Sequence, residues 1–372
     1  MLASNPMVSV QPETLRVIEV DPQTDIRWEQ FVAGQEGALI YHHPAWLLTL
    51  ERTFGHKPMS LACIDDRDGF RGVLPLFRRR GLFTGGRLES LPHTPDAGPL
   101  AVDRAATAVL LQAATQLSRS GSNGALRIKT ASEGLAELVD GMTSEPWEMA
   151  YRLELPDPSE ELRFGNSRNH ARIRWAINKA QKLGVRVRAA ESEAELRNWH
   201  RLYVDTMRFH GAPPRPYRFF KTAWQLLHPL GLMRLLLAEQ HEAGRRQLLA
   251  GSIFLTFGDT VVYAFNGRRR DALSLRPNDA IQWQSIHDAW SEGFHYYDFG
   301  EVVRDNLGLA EFKGKWGAEP ATLYRYSYPG SSPTESRLLD EDGIVPRLAG
   351  TIWRRLPSQA TALLGDIMFS HF

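Results

Sequence analysis

Residues 298–320, DFGEVVRDNLGLAEFKGKWGAEP, place polar side chains that could do chemistry directly after a predicted buried strand. Asp298 ends that strand, and carboxylates at strand ends are common site groups in α/β folds. Lys313 follows an aromatic residue, so its charge is either paired or available to stabilise negative charge that develops in a reaction. Together with Trp316 these residues predict a site; the alternative is a surface turn with a stacked tryptophan.

The segment from Arg163 to Arg188 carries eight Lys or Arg residues and no acidic residue. Exposed helices usually gain pairs of opposite charge at i,i+4, and this one has none. The helical period places Arg168, Arg172 and Lys179 together on a face other than the apolar stripe. We therefore expect this face to contact the phosphate groups of a substrate, a nucleotide or a tRNA, with a solvated charged face as the alternative.

Two loops could supply further site groups. The loop ESLPHTPDAGPLA (89–101) contains His93 and Asp96, which could be acid/base groups or hydrogen-bond a substrate, unless the loop is an ordinary rigid turn. Arg276 precedes a predicted helix for which Asn278 is a plausible N-cap. The free N–H groups of that helix N-terminus would suit a pyrophosphate, and a simple capped helix is the alternative.

Several classes of function find no support. The chain has no G-x-S-x-G motif for a serine hydrolase and no histidine spacing typical of zinc enzymes. Its single cysteine, Cys63, rules out a disulfide within the chain and makes a cysteine zinc site very improbable. The net charge of +1 gives no reason to expect a DNA-binding protein. We therefore expect no metal and no DNA partner.

The elements that must position these residues form a pattern that occurs twice. Helical sequence at 43–55 precedes a strand–turn–strand at 59–77, and helical sequence at 191–211 precedes another at 233–257. This favours a weak internal duplication, although a helix followed by a hairpin is also common in unrelated α/β folds. Beyond the second hairpin, a strand, a loop, a helix and a strand predict an α/β core.

The prolines in ELPDPSEEL interrupt regular structure and place a domain boundary there. We expect a first domain over residues 1–155, a second over 156–328 and a helical tail over 329–372. The N-terminus shows no signal-peptide pattern, and the chain contains no apolar run long enough to span a membrane, so a cytoplasmic protein is expected. The tail mixes apolar and basic residues, so it could contact an anionic membrane or pack on the body of the protein.

The chain resembles the FemAB-like proteins of the GNAT acyltransferase superfamily over roughly residues 40 to 328. The most specific motif is D-F-G…F-K-x-x-W-G. Weaker segments follow in the same order as in the family: YHHPAWLLTLERTFGHKP, GVLPLF, SLPHTPDAGPLA, RIRWAINKAQKLGVRV, HGAPPRPYRFF and LRPNDAIQW. The resemblance implies an α/β (α+β) fold of two tandem GNAT-like domains, with mixed, mostly antiparallel sheets flanked by helices.

The resemblance also implies a reaction, the transfer of an acyl or aminoacyl group to an amine of a cell-envelope precursor such as peptidoglycan, or of an exopolysaccharide. The donor would be acyl-CoA or aminoacyl-tRNA, used as a co-substrate and not permanently bound. By motif match, Lys313 would stabilise charge at the transferring acyl centre or on the tRNA end. Asp298 is the first candidate for the general base and His93 is the second. The acceptor could be a nucleotide-sugar or a lipid-linked molecule.

The chain departs from the family in two places. Many tRNA-dependent members insert a long coiled-coil arm in the second domain, which is missing here, and the loop after Gly267 lacks the glycines of an acyl-CoA loop. Both donors therefore stay open. So do two alternative functions: an acyl-CoA-dependent N-acyltransferase for a small molecule, and a catalytically silent binding protein in envelope assembly.

Overall fold

The computed structural model describes residues 14–79, 87–119, 124–242, 245–302 and 306–329, together with a few positions between 357 and 365. The predicted helical tail and its membrane contact lie almost entirely outside the described residues. Within the described ranges, no helix has both the length and the apolar character that crossing a membrane requires.

The first half of the chain contains three helices and nine strands in the described ranges. The helices are α1 (Ile26–Gly34), α2 (Pro44–Phe54) and α3 (Arg104–Arg119). The strands are β1 (Arg16–Glu19), β2 (Lys57–Pro58), β3 (Leu61–Ile64), β4 (Phe70–Leu74), β5 (Phe77–Arg79), β6 (Arg87–Glu89), β7 (Leu100–Ala101), β8 (Ala125–Thr130) and β9 (Thr143–Glu154). The predicted first helix and hairpin are α2 and the β3–β4 pair, so this prediction is confirmed.

The second half continues with helices α4 (Ser167–Lys182), α5 (Glu193–His210), α6 (Tyr217–Leu227), α7 (Pro277–Ser291) and α8 (Leu307–Gly314). Its strands are β10 (Val185–Ala189), β11 (Met233–Glu242), β12 (Arg245–Phe257), β13 (Thr260–Arg268), β14 (Tyr296–Val302) and β15 (Glu319–Tyr328). The second predicted helix and hairpin are α5 and the antiparallel β11–β12 pair, as expected.

Most strands belong to one mixed, mostly antiparallel sheet that runs through both halves. Its eleven strands lie in the order β10-β11-β12-β13-β14-β9-β15-β8-β6-β5-β2, and a separate sheet has the order β1-β3-β4-β7. The last strand, β15, pairs with β8 on one side and β9 on the other. The fold class is confirmed, and the domain boundary after residue 155 stays a prediction because the sheet continues across it.

The helices are held by apolar faces that the sequence pattern predicts. In α4, the buried residues Ile173, Ala176, Ile177 and Ala180 recur at helical spacing and pack toward α7 and the sheet. A second core joins the two halves, since Trp46 of α2 packs edge-on against Phe219 of α6. These cores fix the positions of the loops and strand ends that form the site.

Candidate active site

The parallel strands β13 and β14 pair for only three residues and then separate. The last pair in the register joins Val262 to Asp298, although β13 continues to Arg268 and β14 to Val302. Each strand is irregular where they part: β13 has a bulge at Ala264 opposite β12, and β14 has one opposite β9. Backbone groups of the two strands no longer pair with each other beyond this point, which leaves an opening in the sheet.

Asp298 lies where this opening begins. Its side chain is 9% exposed, and Oδ1 accepts a hydrogen bond of 2.6 Å from the N–H of Gly300. Gly300 has a φ of +73°, a left-handed conformation that makes the bulge of β14 possible. Burial raises the pKa of Asp298, against the Gly300 hydrogen bond and the positive charges of Arg152 and Lys313.

Lys313 lies in α8 and is 2% exposed. Its ammonium group donates hydrogen bonds of 2.9 Å to the carbonyl oxygens of Gly300, in the β14 bulge, and of Glu301, which follows it. Burial lowers its pKa to about 8, and the charge of Asp298 opposes this effect. The aromatic ring near Lys313 Nζ is that of Tyr151, 5.9 Å away, whereas the ring of Trp316 lies 5.4 Å from Nζ of Lys315.

The first half of the chain contributes a second carboxylate, Asp96, which is half-buried. Its Oδ1 accepts a hydrogen bond of 3.3 Å from the N–H of Ala131. Burial raises the pKa of Asp96 to about 6, and the nearby charge of Asp298 adds to the rise. Burial also raises the pKa of Tyr41, and the charges of Asp298 and Asp96 contribute. The structure thus brings the predicted residues Asp96, Asp298 and Lys313 into one electrostatic neighbourhood.

The loop that carries Asp96 is fixed by close packing against β8. The N–H of Ala97 donates to the carbonyl of Lys129 (3.0 Å), and Nε2 of His42 lies 3.1 Å from the carbonyl oxygen of Gly98. A Cβ atom at Gly98 would lie only 2.6 Å from Cβ of Thr130, so only glycine permits this approach. The loop is therefore a rigid support as well as the source of a site residue.

His93 lies elsewhere in the same loop. It is 9% exposed, has a φ of +58°, and its ring packs 5.1 Å from the ring of Phe54. Its carbonyl oxygen accepts a hydrogen bond of 2.5 Å from Arg215. The described contacts of His93 tie it to the core between the halves, and neither Asp298 nor Lys313 is among them.

A basic cleft of about 910 Å³ lies between α4, α8 and the start of α7. It brings together three predicted residues, Arg168, Arg172 and Arg276, and adds Lys315. Lys179 does not line the cleft. It lies on α4 about one turn beyond Trp175, which does line it. Two carboxylates, Asp279 and Glu311, also line the cleft.

The start of α7 differs from the prediction. The N-cap is Arg276, whose φ of +61° is left-handed, and the helix begins at Pro277. Asn278 is thus inside the first turn and not the N-cap, because the proline favours the first helical position. The Oδ1 atom of Asn278 is buried and makes no hydrogen bond to any residue that the structure describes.

Trp316 is fully buried. Its ring packs edge-on against Phe164 at 5.1 Å, within the core under α4 and α7. In this position it supports the end of α8 and presents no surface to a ligand.

Sequence reasoning did not single out three residues of these sites: Arg152, Trp175 and Lys315. Arg152 lies in β9, far from Asp298 in the sequence, and no local sequence pattern indicates that the two residues are neighbours. Trp175 could have been found, because the helical period places it among the basic residues of α4 and not on the apolar stripe.

Comparisons with known proteins agree with this geometry. Residues 167–314 match the family model described as an acetyltransferase (GNAT) domain. The chain is similar to the crystal structure of FemX, with a TM-score of 0.69 and 15% identity over 87% of this chain and 99% of that one. A comparison with curated sequences found no significant match.

A second similar structure is the C-terminal domain of a putative lysylphosphatidylglycerol synthetase from Agrobacterium fabrum. It has a TM-score of 0.56 and 11% identity, and the match covers 85% of this chain and 92% of that one. At these identities the structures show the fold alone, and the family model covers residues 167–314 of the second half. Residues 167–314 thus match a GNAT acetyltransferase domain, and the chain as a whole has a fold similar to that of FemX.

Proposed function

We propose that the protein transfers an acyl or aminoacyl group to an amine of a cell-envelope precursor or polysaccharide, at the opening between β13 and β14. The observation that supports this most is the burial of Asp298 and Lys313 where the two strands separate, with Lys313 Nζ hydrogen-bonded to the carbonyl oxygens of Gly300 and Glu301. An amine acceptor must lose a proton in order to attack an acyl carbonyl, and a carboxylate in this position can accept it.

Asp298 remains our first candidate for this base, and Asp96 replaces His93 as the second. Asp298 begins the opening itself, where an acyl group could lie against backbone N–H groups that no longer pair across the two strands. Asp96 has a pKa near 6, so it is mostly ionised at pH 7 and can accept a proton directly or through water. The ring of His93 packs on Phe54 instead.

Lys313 would stabilise the tetrahedral oxyanion in two ways: its positive charge would attract the oxyanion, and its hydrogen bonds would hold β14 in the bulged conformation. Of its three N–H donors, two are used by Gly300 and Glu301, and the third meets no acceptor among the described residues. A positive charge in a water-poor site acts more strongly on a developing oxyanion than one in water.

The acceptor class follows from one of the similar structures, the C-terminal domain of a putative lysylphosphatidylglycerol synthetase. For this reason the acceptor is sought first among envelope components, including nucleotide-sugars and lipid-linked precursors. The description of the family model as an acetyltransferase favours the second candidate, an acyl-CoA-dependent N-acyltransferase for a small molecule.

In the test, the purified protein is incubated with a labelled donor, either acetyl-CoA or aminoacyl-tRNA. The acceptors are amine-bearing peptidoglycan precursors, amino polysaccharides and small amines. Product is followed by mass spectrometry. We expect Asp298→Asn and Lys313→Met to lower turnover by about 100-fold or more, because each removes a group that acts in the transition state. Asp140→Asn, on an exposed residue, is the control and should keep the wild-type rate. Unchanged product formation in both site variants would show that the site is assigned wrongly.

A further inference from the structure

The basic cleft contains an exposed aromatic ring that the proposed chemistry does not use. Trp175 lies in the middle of α4 and is 56% exposed, whereas most other tryptophans of the described chain are buried or half-buried. It lines the cleft together with Arg168 and Arg172, which precede it on the same face by about two turns and one turn, respectively. An exposed tryptophan at the wall of a cleft is a surface on which a flat ligand can stack.

Two cations hold this ring at its edge of the cleft. Nζ of Lys179 and the guanidinium carbon of Arg276 each lie 5.3 Å from the centre of the Trp175 ring. Both distances are within the range of cation–π attraction. These contacts restrict the indole and still leave more than half of the side chain open to solvent, so the ring is ordered before any ligand arrives.

The charge of the cleft favours an anion beside the ring. Arg168 and Arg172 form no ion pair or hydrogen bond through their side chains with any residue that the structure describes. The carboxylate of Asp279 is already neutralised, because its oxygens lie 2.6 Å from Lys315 Nζ and 3.9 Å from Arg276. Guanidinium groups without acidic partners are well suited to phosphate oxygens, which they can bind in a bidentate manner.

We propose that this cleft binds a nucleotide, with the nucleobase stacked on Trp175 and the phosphates held by Arg168 and Arg172. A volume of about 910 Å³ is sufficient for such a ligand. Stacking on an aromatic side chain beside a basic groove is the usual way in which proteins bind single-stranded nucleotides without reading their sequence. An acidic peptide could bind the arginines, but its carboxylates would not stack on the exposed ring of Trp175.

The assignment deepens the proposed function, on which it rests, because both candidate donors carry a nucleotide. CoA contains an adenine nucleotide, and a tRNA ends in unpaired nucleotides. The cleft is formed by α4, α7 and α8, and α8 also carries Lys313, so a donor bound here would be tethered to the element that borders the opening between β13 and β14.

The experiment measures binding without turnover, which keeps it separate from the test of the reaction. Affinities of the full chain for CoA are measured by calorimetry, and those for a fluorescein-labelled single-stranded RNA ending in CCA by anisotropy. We expect one of these probes to bind Trp175→Ala about 10-fold or more weakly than wild type, and Trp175→Phe within about 3-fold, because phenylalanine keeps a stacking surface. Arg172→Gln should weaken the same probe and reduce the slope of affinity against salt, whereas Arg67→Gln, on a distant exposed turn, should change nothing.

The probe that depends on Trp175 identifies the donor source. Wild-type affinity of Trp175→Ala for both probes, or no binding of either probe to the wild type, would overturn the inference. Because the side chain of Trp175 is largely exposed, its removal should not unfold the protein, and the melting temperature of each variant checks this. Nucleotide binding that depends on Trp175 in a protein without transferase activity would contradict the proposed function and leave this site intact.

Discussion

At the scale of single residues, the environment of Asp96, and not its residue type alone, sets the pH at which its carboxyl group ionises. A carboxyl on an exposed loop would ionise near pH 4, but burial of Asp96 against β8 raises its pKa to about 6. Its hydrogen bonds with Thr130 and Ala131 oppose this rise and favour the charged form. The result is a group that changes its charge close to physiological pH, as a proton acceptor should.

This raised pKa predicts two pH profiles. If Asp96, the second candidate, is the base, kcat/KM should increase as the pH rises through about 6, and Asp96→Asn should lose this limb together with about 100-fold or more of the rate. Since the folded state holds the proton more tightly, Asp96 should add stability that is complete below pH 3.8 and is lost as the pH rises through 6. Rate measurements and thermal melts from pH 4 to 8 check both. If Asp96→Asn retained the limb, another group would be the base.

At the scale of the elements, the bulge of β14 links the strand to α8. The strand leaves its pairing with β13 after Asp298, turns through Gly300 in a left-handed conformation, and exposes two carbonyl groups that Lys313 binds. Helix α8 therefore supports the strand end as well as lining the basic cleft. The position of the carboxylate at the opening depends on this local geometry.

Gly300→Ala tests the geometry of the bulge. An alanine in a left-handed conformation costs about 1–2 kcal/mol, and its Cβ would lie 3.4 Å from the carbonyl oxygen of Tyr263 across the opening. We expect a lower free energy of unfolding and a loss of transferase activity of about 10-fold or more, because a shift of the strained backbone would move the residue-300 N–H that orients Asp298. Gly34→Ala, at the end of α1 with open space around it, is the matched control and should be neutral. Wild-type stability and rate in Gly300→Ala would contradict this role.

At the scale of the whole molecule, the two halves share one sheet and one core. Strand β15 ends the second half in sequence but lies between β8 and β9 of the first half. The core around Trp46 and Phe219 also draws residues from both halves. A duplicated architecture therefore does not imply two units that fold separately.

We predict that the chain unfolds in a single cooperative transition and that residues 1–155 alone do not fold. In that fragment β8 and β9 would lose the strand between them, and part of the apolar core would be exposed to water. Calorimetry of the full chain and an NMR spectrum of the fragment give the two measurements. Two separate calorimetric transitions, or a dispersed spectrum from the fragment, would show that the halves are independent.

The sequence by itself determined the local elements and the class of the protein. The period of apolar residues predicted α4, α5 and both hairpins, and the motif around Lys313 indicated the FemAB-like fold, because such patterns depend on near neighbours in the chain. It also found Asp96, Asp298 and the basic face of α4 as separate candidates.

Only the tertiary structure decided how these candidates relate to one another. Asp96 and Asp298 are 202 positions apart in the sequence, and only the folded chain lets the charge of Asp298 raise the pKa of Asp96. The insertion of β15 between earlier strands, the hydrogen bonds of Lys313 to the β14 bulge and the burial of Trp316 arise in the same way. Local sequence fixes which residues can act, and long-range packing fixes which of them meet.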